Sequence, residues 1–133
     1  MLDEELVVKP LSYLEGQSNT LLIDGLKFYQ QKKYIEACEK FRRSLEEFLR
    51  YKLENDKGLE RNIKEIGSLL KAQEAPNEIR NTIQKDFDYL DKFFNEHTKH
   101  GSADLGDEEV EWVLYQMGTL TRYIERKIET NTN

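Results

Sequence analysis

The chain has 133 residues, 26 acidic against 20 basic, for a formal net charge of -6. That length fits one domain around one core, and a charged fraction of 35% beside 11% aromatics with only 2 prolines marks a folded helical chain rather than a disordered one. The acidic balance excludes whole-surface attraction to nucleic acid or anionic membrane while leaving room for a local basic patch, no apolar run approaches a bilayer span, and the single Cys38 permits no internal disulfide.

The N-terminal "MLDEELVVKPLSYLEG" carries acids where a secretory signal has a basic start and a long apolar run, so a cytoplasmic location is expected. Residues 1–18 read as a peripheral arm, with Pro10 and Gly16 limiting any long helix and Leu11 and Leu14 able to pack on the domain. From Asn19, Leu22, Ile23, Leu26 and Tyr29 recur at helical spacing, which predicts a first helix to about Gln31, capped by Asn19 or Thr20. A second helix follows "QKK" over Tyr34 to Leu53, its face traced by Tyr34, Ala37, Cys38, Phe41, Leu45, Phe48, Leu49 and Lys52.

After the turn cluster "ENDKG", Ile63, Ile66, Leu69 and Leu70 predict a shorter third helix that ends before "EAPNE" and is weakened by Gly67. A fourth begins near Asn77 and aligns Ile79, Ile83, Phe87, Leu90, Phe94 and His97 on one stripe. The segment "TKHGSADLGD" ends it, and Asp107 is the expected N-cap of a fifth helix buried through Val110, Val113, Leu114, Met117, Leu120, Thr121, Ile124 and Ile128. No strand pattern occurs. The predicted fold is all-α, an up-and-down bundle of four to five antiparallel helices over 19–129, with a flexible tail at 130–133.

Gly25, Phe28, Tyr34, Ala37, Phe41 and Leu45 resemble a tetratricopeptide unit, in which a small residue lets two helices cross and an aromatic fills the gap. Nothing near Ile63 or Ile83 repeats the pattern, so an isolated helical hairpin is expected rather than a solenoid. Taken with "FFNEHTKHG" and "VEWVLYQMGTLTRYIERKI", the stretch "YIEACEKFRRSLEEFLRYKL" resembles the HEPN domains of bacterial defence and toxin systems, a likeness covering about Thr20 to Ile128.

Active members of that family are metal-independent endoribonucleases with an arginine, a polar residue and, four to six positions further on, a histidine. Such chemistry needs a base for the ribose 2′-hydroxyl, an acid for the leaving oxygen and a cation against the growing phosphate charge. The resemblance implies His100 and Asn95 as catalytic residues, with His97 a poorer match to the family histidine. Where the arginine should stand the chain has Phe93, Phe94, Asn95 and Glu96, and losing one such stabilising group typically costs about 100- to 1000-fold in rate. Arg42, Arg43, Arg50 and Arg122 are the candidates for a substitute phosphate contact.

Blander roles compete for each of these residues. His97 fits a packed, hydrogen-bonded core histidine, His100 a helix C-terminal residue favoured by the dipole, and Arg42 and Arg43 a solvated face paired to Glu46 and Glu47. His97-x-x-His100 offers two ligands where structural zinc needs four, so no metal and no cofactor are expected. The resemblance implies a homodimer that binds RNA or a protein partner in a microbial defence, toxin or regulatory system, with degenerate or no ribonuclease activity. The alternative is a non-catalytic helical protein-protein interaction module, resembling a tetratricopeptide hairpin, with a groove lined by Tyr29, Tyr34 or Tyr115.

Overall fold

The structure is a computed structural model that describes residues 2, 4, 8–12, 14–99 and 105–132. A single helical turn at Lys9–Leu11 precedes five helices: α1 (Gly16–Gln30), α2 (Tyr34–Leu53), α3 (Leu59–Ala72), α4 (Asn77–Lys99) and α5 (Asp107–Thr132), with no strand among the described residues. Loops of a few residues join the first four, which forces neighbours into antiparallel order, and the result is an all-α helical bundle. The amphipathic α2 is its centre and packs against all four other helices. Ala37, Cys38, Phe41, Leu45 and Leu49 are wholly buried along it.

The first helix differs from expectation at both ends of its argument. It begins at Gly16 rather than Asn19, because Gly16 adopts φ +59°, a left-handed conformation that turns the chain from Leu14 straight into helix. Neither Asn19 nor Thr20 caps it. Its inner face is Ser18, Leu21, Leu22 and Gly25, while Ile23 stands exposed. Two small residues bring α1 and α2 together there: the Ser18 hydroxyl donates to the Ser44 carbonyl at 2.7 Å, and the Ser44 hydroxyl donates back to the Ser18 carbonyl at 2.7 Å. Seven residues on, Gly25 lies over the Phe41 ring, so close that a Cβ would fall 2.5 Å from it.

Three helices stop without glycine. Lys32, Glu54 and Glu74 take the left-handed conformation at φ 61°, 54° and 61° just past α1, α2 and α3. Each stop is closed by a backbone bond reaching five residues back, Lys33 N–H to Phe28, Asn55 N–H to Arg50 and Ala75 N–H to Leu70. The α2–α3 loop is braced further by a reciprocal amide pair between Asn55 and the fully buried Asn62, 2.9 Å in each direction.

Leu11 and Leu14, at 3% and 4% exposure, belong to the core, and the Lys9–Leu11 turn packs on α5. In α4 the stripe of Ile83, Phe87, Leu90 and Phe94 is buried as the spacing requires, but Ile79 at its head is exposed. In α5 the predicted face is buried from Val110 to Ile124. Its N-cap moves by one residue, since the Gly106 carbonyl accepts the Val110 N–H and the Glu109 carboxylate reaches back to the Gly106 N–H at 2.9 Å. Asp107 instead accepts the Tyr34 phenol proton, tying α5 to α2. No helix among the described residues is long and apolar enough to cross a membrane.

Candidate functional site

His100 lies outside the described residues, together with residues 101–104. Asn95 does not, and the fold brings it to Arg42: both line a cleft of about 740 Å³ whose walls come from α2, the first turns of α3 and the last third of α4. Two candidates 53 residues apart (95 − 42) thus share one cavity. Arg61 and Lys64 add positive charge, while Glu46, Glu60 and Asp91 match it with three carboxylates.

Arg42 is engaged within the chain. Its Nη2 and Nε donate to Glu39 at 2.9 and 3.3 Å, and its Nη1 lies 3.6 Å from Glu46. The hydrogen bond from Arg42 holds the Glu39 carboxyl below its ordinary range. To meet a phosphate, Arg42 must therefore give up a carboxylate it already holds. The cleft has cations but no net charge.

Arg50 sits two turns further along α2, about 12 Å from Arg42 by helical rise, and serves the α2–α3 loop. Its Nε donates to the Lys57 carbonyl at 2.7 Å and its Nη1 to Glu47 at 2.8 Å, with Glu46 3.5 Å away. The pairing expected between Arg43 and Glu47 is taken by Arg50; Arg43 forms no ion pair among the described residues, and neither does Arg122 on the exposed side of α5. Both lie apart from the Asn95 cleft. Tyr29 and Tyr34, whose rings are 6.2 Å apart, form a small cluster against the acidic first turn of α5, where burial and the Asp107 and Glu111 charges push the Tyr29 phenol up.

A different face is the most developed feature of the surface. Tyr89, Phe93 and His97 stand one helical turn apart along the edge of α4 that faces α5. Tyr89 meets Trp112 of α5 edge to face at 5.5 Å, Phe93 lies 6.4 Å from the same indole, and His97 packs on Phe93 at 4.4 Å. Tyr89 and Trp112 remain 58% and 41% exposed. α4 and α5 approach each other along little of their length, so these rings bridge an open seam. His97 is packed as its register requires, yet the hydrogen bond expected of a core histidine is missing: its Nδ1 is buried with no partner among the described residues.

In the sequence the strip is a second apolar line beside the core stripe: Tyr89 and Phe93 stand four apart and lead to His97, where the core line of 83, 87, 90 and 94 also ends. No cluster of three or more metal-ligating side chains forms among the described residues. The fold and its surface define a helical bundle with an exposed aromatic seam and a charge-balanced cleft. No protein family, no curated protein and no solved structure matches the chain.

Proposed function

We propose that the chain is a HEPN-like helical domain that works by binding a protein partner and has no ribonuclease activity of its own. The observation that carries this is the aromatic seam of Tyr89, Phe93, His97 and Trp112, because linked aromatics left at a surface are the usual anchors of protein interfaces. Its surroundings select the partner's chemistry. Asp86, Asp88 and Glu96 on α4 and Glu108, Glu109 and Glu111 on α5 lie within a turn of the seam, against Lys85 and Lys92. A cationic amphipathic helix fits such a rim, its apolar side on the rings and its lysines or arginines on the carboxylates. The engaged Arg42 and the missing motif arginine support the loss of catalysis.

Trp112 is the sole tryptophan, so its fluorescence reports on the seam. Titration with a Lys/Leu amphipathic helical peptide is expected to give saturable quenching or a blue shift. A Glu/Leu peptide of the same apolar pattern is expected to give none. Equal response to the two peptides, or a response unchanged in Tyr89→Ser, overturns the assignment. Partners that co-purify from the native host and are lost from Tyr89→Ser would then supply the identity.

The second reading is RNA binding at the Arg42–Asn95 cleft, favoured by the convergence of those two residues. Incubation with RNA, scoring cyclic-phosphate ends, separates it: cleavage that disappears in His100→Ala restores the enzyme, and none is expected. A homodimer, a cytoplasmic setting and a defence, toxin or regulatory context belong to the HEPN-like reading; light scattering at several concentrations tests the first.

A further inference from the structure

The aromatic seam carries opposite charge on its two flanks. Tyr89 and Trp112, 58% and 41% exposed, meet at an interplanar angle of 81°, so two nearly perpendicular ring planes face solvent together. The half-buried Phe93 flanks the indole at 6.4 Å.

On the α5 side, Glu108 stands one turn before Trp112 on the same helix face, where Cβ atoms lie about 5–6 Å apart. It is exposed and forms no ion pair among the described residues. On the α4 side, the exposed Lys85 and Lys92 stand four before and three after Tyr89 and repel any cation brought to that flank. Asp88 lies about 100° round the helix from Tyr89, and Glu96 about two turns beyond it. A cation carried by a partner is therefore directed to the indole and Glu108.

Arginine and lysine are not equivalent at such a place. A guanidinium lies flat on an aromatic face and keeps its N–H donors in its own plane, where two of them can pair with both oxygens of one carboxylate. An ammonium has no face to stack, holds its water more tightly and meets the carboxylate as a point charge. We infer that the seam recognises an arginine of its partner, stacked on Trp112 and paired with Glu108, and discriminates against lysine at that position. This rests on the reading of the seam as a docking surface for a cationic amphipathic helix, and it names the side chain that such a helix must carry.

Three fluorescein-labelled peptides of one amphipathic Leu/Ala pattern, with arginine, lysine or glutamate at the polar positions, test it by fluorescence anisotropy at fixed ionic strength. The arginine peptide is expected to bind about fivefold more tightly than the lysine peptide, and the glutamate peptide not at all. Glu108→Gln is expected to bring the arginine-to-lysine ratio below about two. Glu78→Gln, which removes the same charge at the exposed start of α4, is expected to leave it unchanged. Trp112→Leu, with its helical circular dichroism intact, should lower the ratio as well. Equal affinity for the arginine and lysine peptides, or a ratio that survives Glu108→Gln, overturns this inference, while the docking surface stands as long as both outbind the glutamate peptide. Binding of all three alike, or of none, overturns both.

Discussion

Replacing Gly25 by alanine tests the α1–α2 crossing on which the bundle is built. The new Cβ would lie 2.5 and 2.7 Å from two carbons of the Phe41 ring and 3.1 Å from the Lys40 Cβ. Carbon atoms prefer roughly 3.5–4.0 Å, so the overlap with the ring is about 1 Å. Phe41 is fully buried, so its ring can yield only by displacing packed neighbours. Overpacking of this kind costs about 1–3 kcal/mol, and contact with two ring atoms places it near the upper end, about 3 kcal/mol. Alanine returns about 1 kcal/mol through helix propensity, leaving a net loss of about 2 kcal/mol. For 133 residues the unfolding entropy is about 0.28 kcal/mol/K, so Tm should fall by about 7 °C.

Gly67→Ala is the control of opposite sign. There the added Cβ would meet only the Gln84 Oε1, at 2.9 Å, the far end of a side chain that can rotate away. The propensity gain of about 1 kcal/mol then survives, and Tm should rise by about 3–4 °C. Thermal melts followed by helical circular dichroism read both. A Gly25→Ala melt equal to or above that of the parent chain refutes the close approach. Phe41→Leu in the Gly25→Ala background should cost less than the sum of the two single changes, since the smaller side chain removes the overlap.

Three further outcomes follow from particular side chains. Burial pushes the Cys38 thiol up to about 12, and its exposure is zero, so a thiol reagent near about pH 8 should label one cysteine per chain in guanidinium and none in the folded protein; rapid native labelling contradicts this. The hydrogen bond to Asp107 raises the Tyr34 phenol from its usual 10.0 to about 12, so its stabilisation is fully present below about pH 10 and is lost as pH rises through about 12. The urea midpoint of Tyr34→Phe should lie below that of the parent chain at neutral pH and the gap should close across that window; a constant gap contradicts the assignment. Glu74→Gly should stabilise by about 0.5–1 kcal/mol in urea titration, because glycine relieves the left-handed conformation at φ 61°; a loss of stability shows that the Glu74 side chain matters elsewhere.

The periodic faces of α2 and α5 were legible because burial on one side of a helix writes itself at spacings of three and four, and no tertiary feature competes with that there. Most edges are legible too: the turn clusters QKK, ENDKG and EAPNE mark the stops at Lys32, Glu54 and Glu74, and the helices at Tyr34–Leu53 and from Asn77 fall where they are expected. The start of α1 is the exception, because a glycine that reads as a breaker at position 16 uses its left-handed backbone to begin the helix. Ile23 and Ile79 carry the right chemistry at the right spacing, yet the crossing geometry leaves them outside. In the candidate site, local sequence identified Asn95 and Arg42 but not their meeting in one cleft, which depends on how α4 crosses α2. The neutralisation of Arg42 is half visible in the sequence: the i,i+4 spacing points to Glu46, while the closer partner is Glu39, three residues before Arg42.

The aromatic seam raises the question of why α4 keeps two apolar lines when its core needs one. Ile83, Phe87, Leu90 and Phe94 already fill the space against α2 and α3, and Val113, Leu114 and Met117 do the same for α5. Tyr89 and Trp112 therefore add little to folding: their edge-to-face pair is worth about 0.5–1.5 kcal/mol, and Tyr89 stays 58% exposed. An anchor of an interface behaves differently, costing about 2 kcal/mol or more of binding when truncated. Tyr89→Ser should thus lower unfolding free energy by about 1 kcal/mol or less in urea titration while weakening a cationic amphipathic peptide by roughly 30-fold. A folding loss above about 2 kcal/mol with little change in binding would show that the seam is simply an exposed edge of the core.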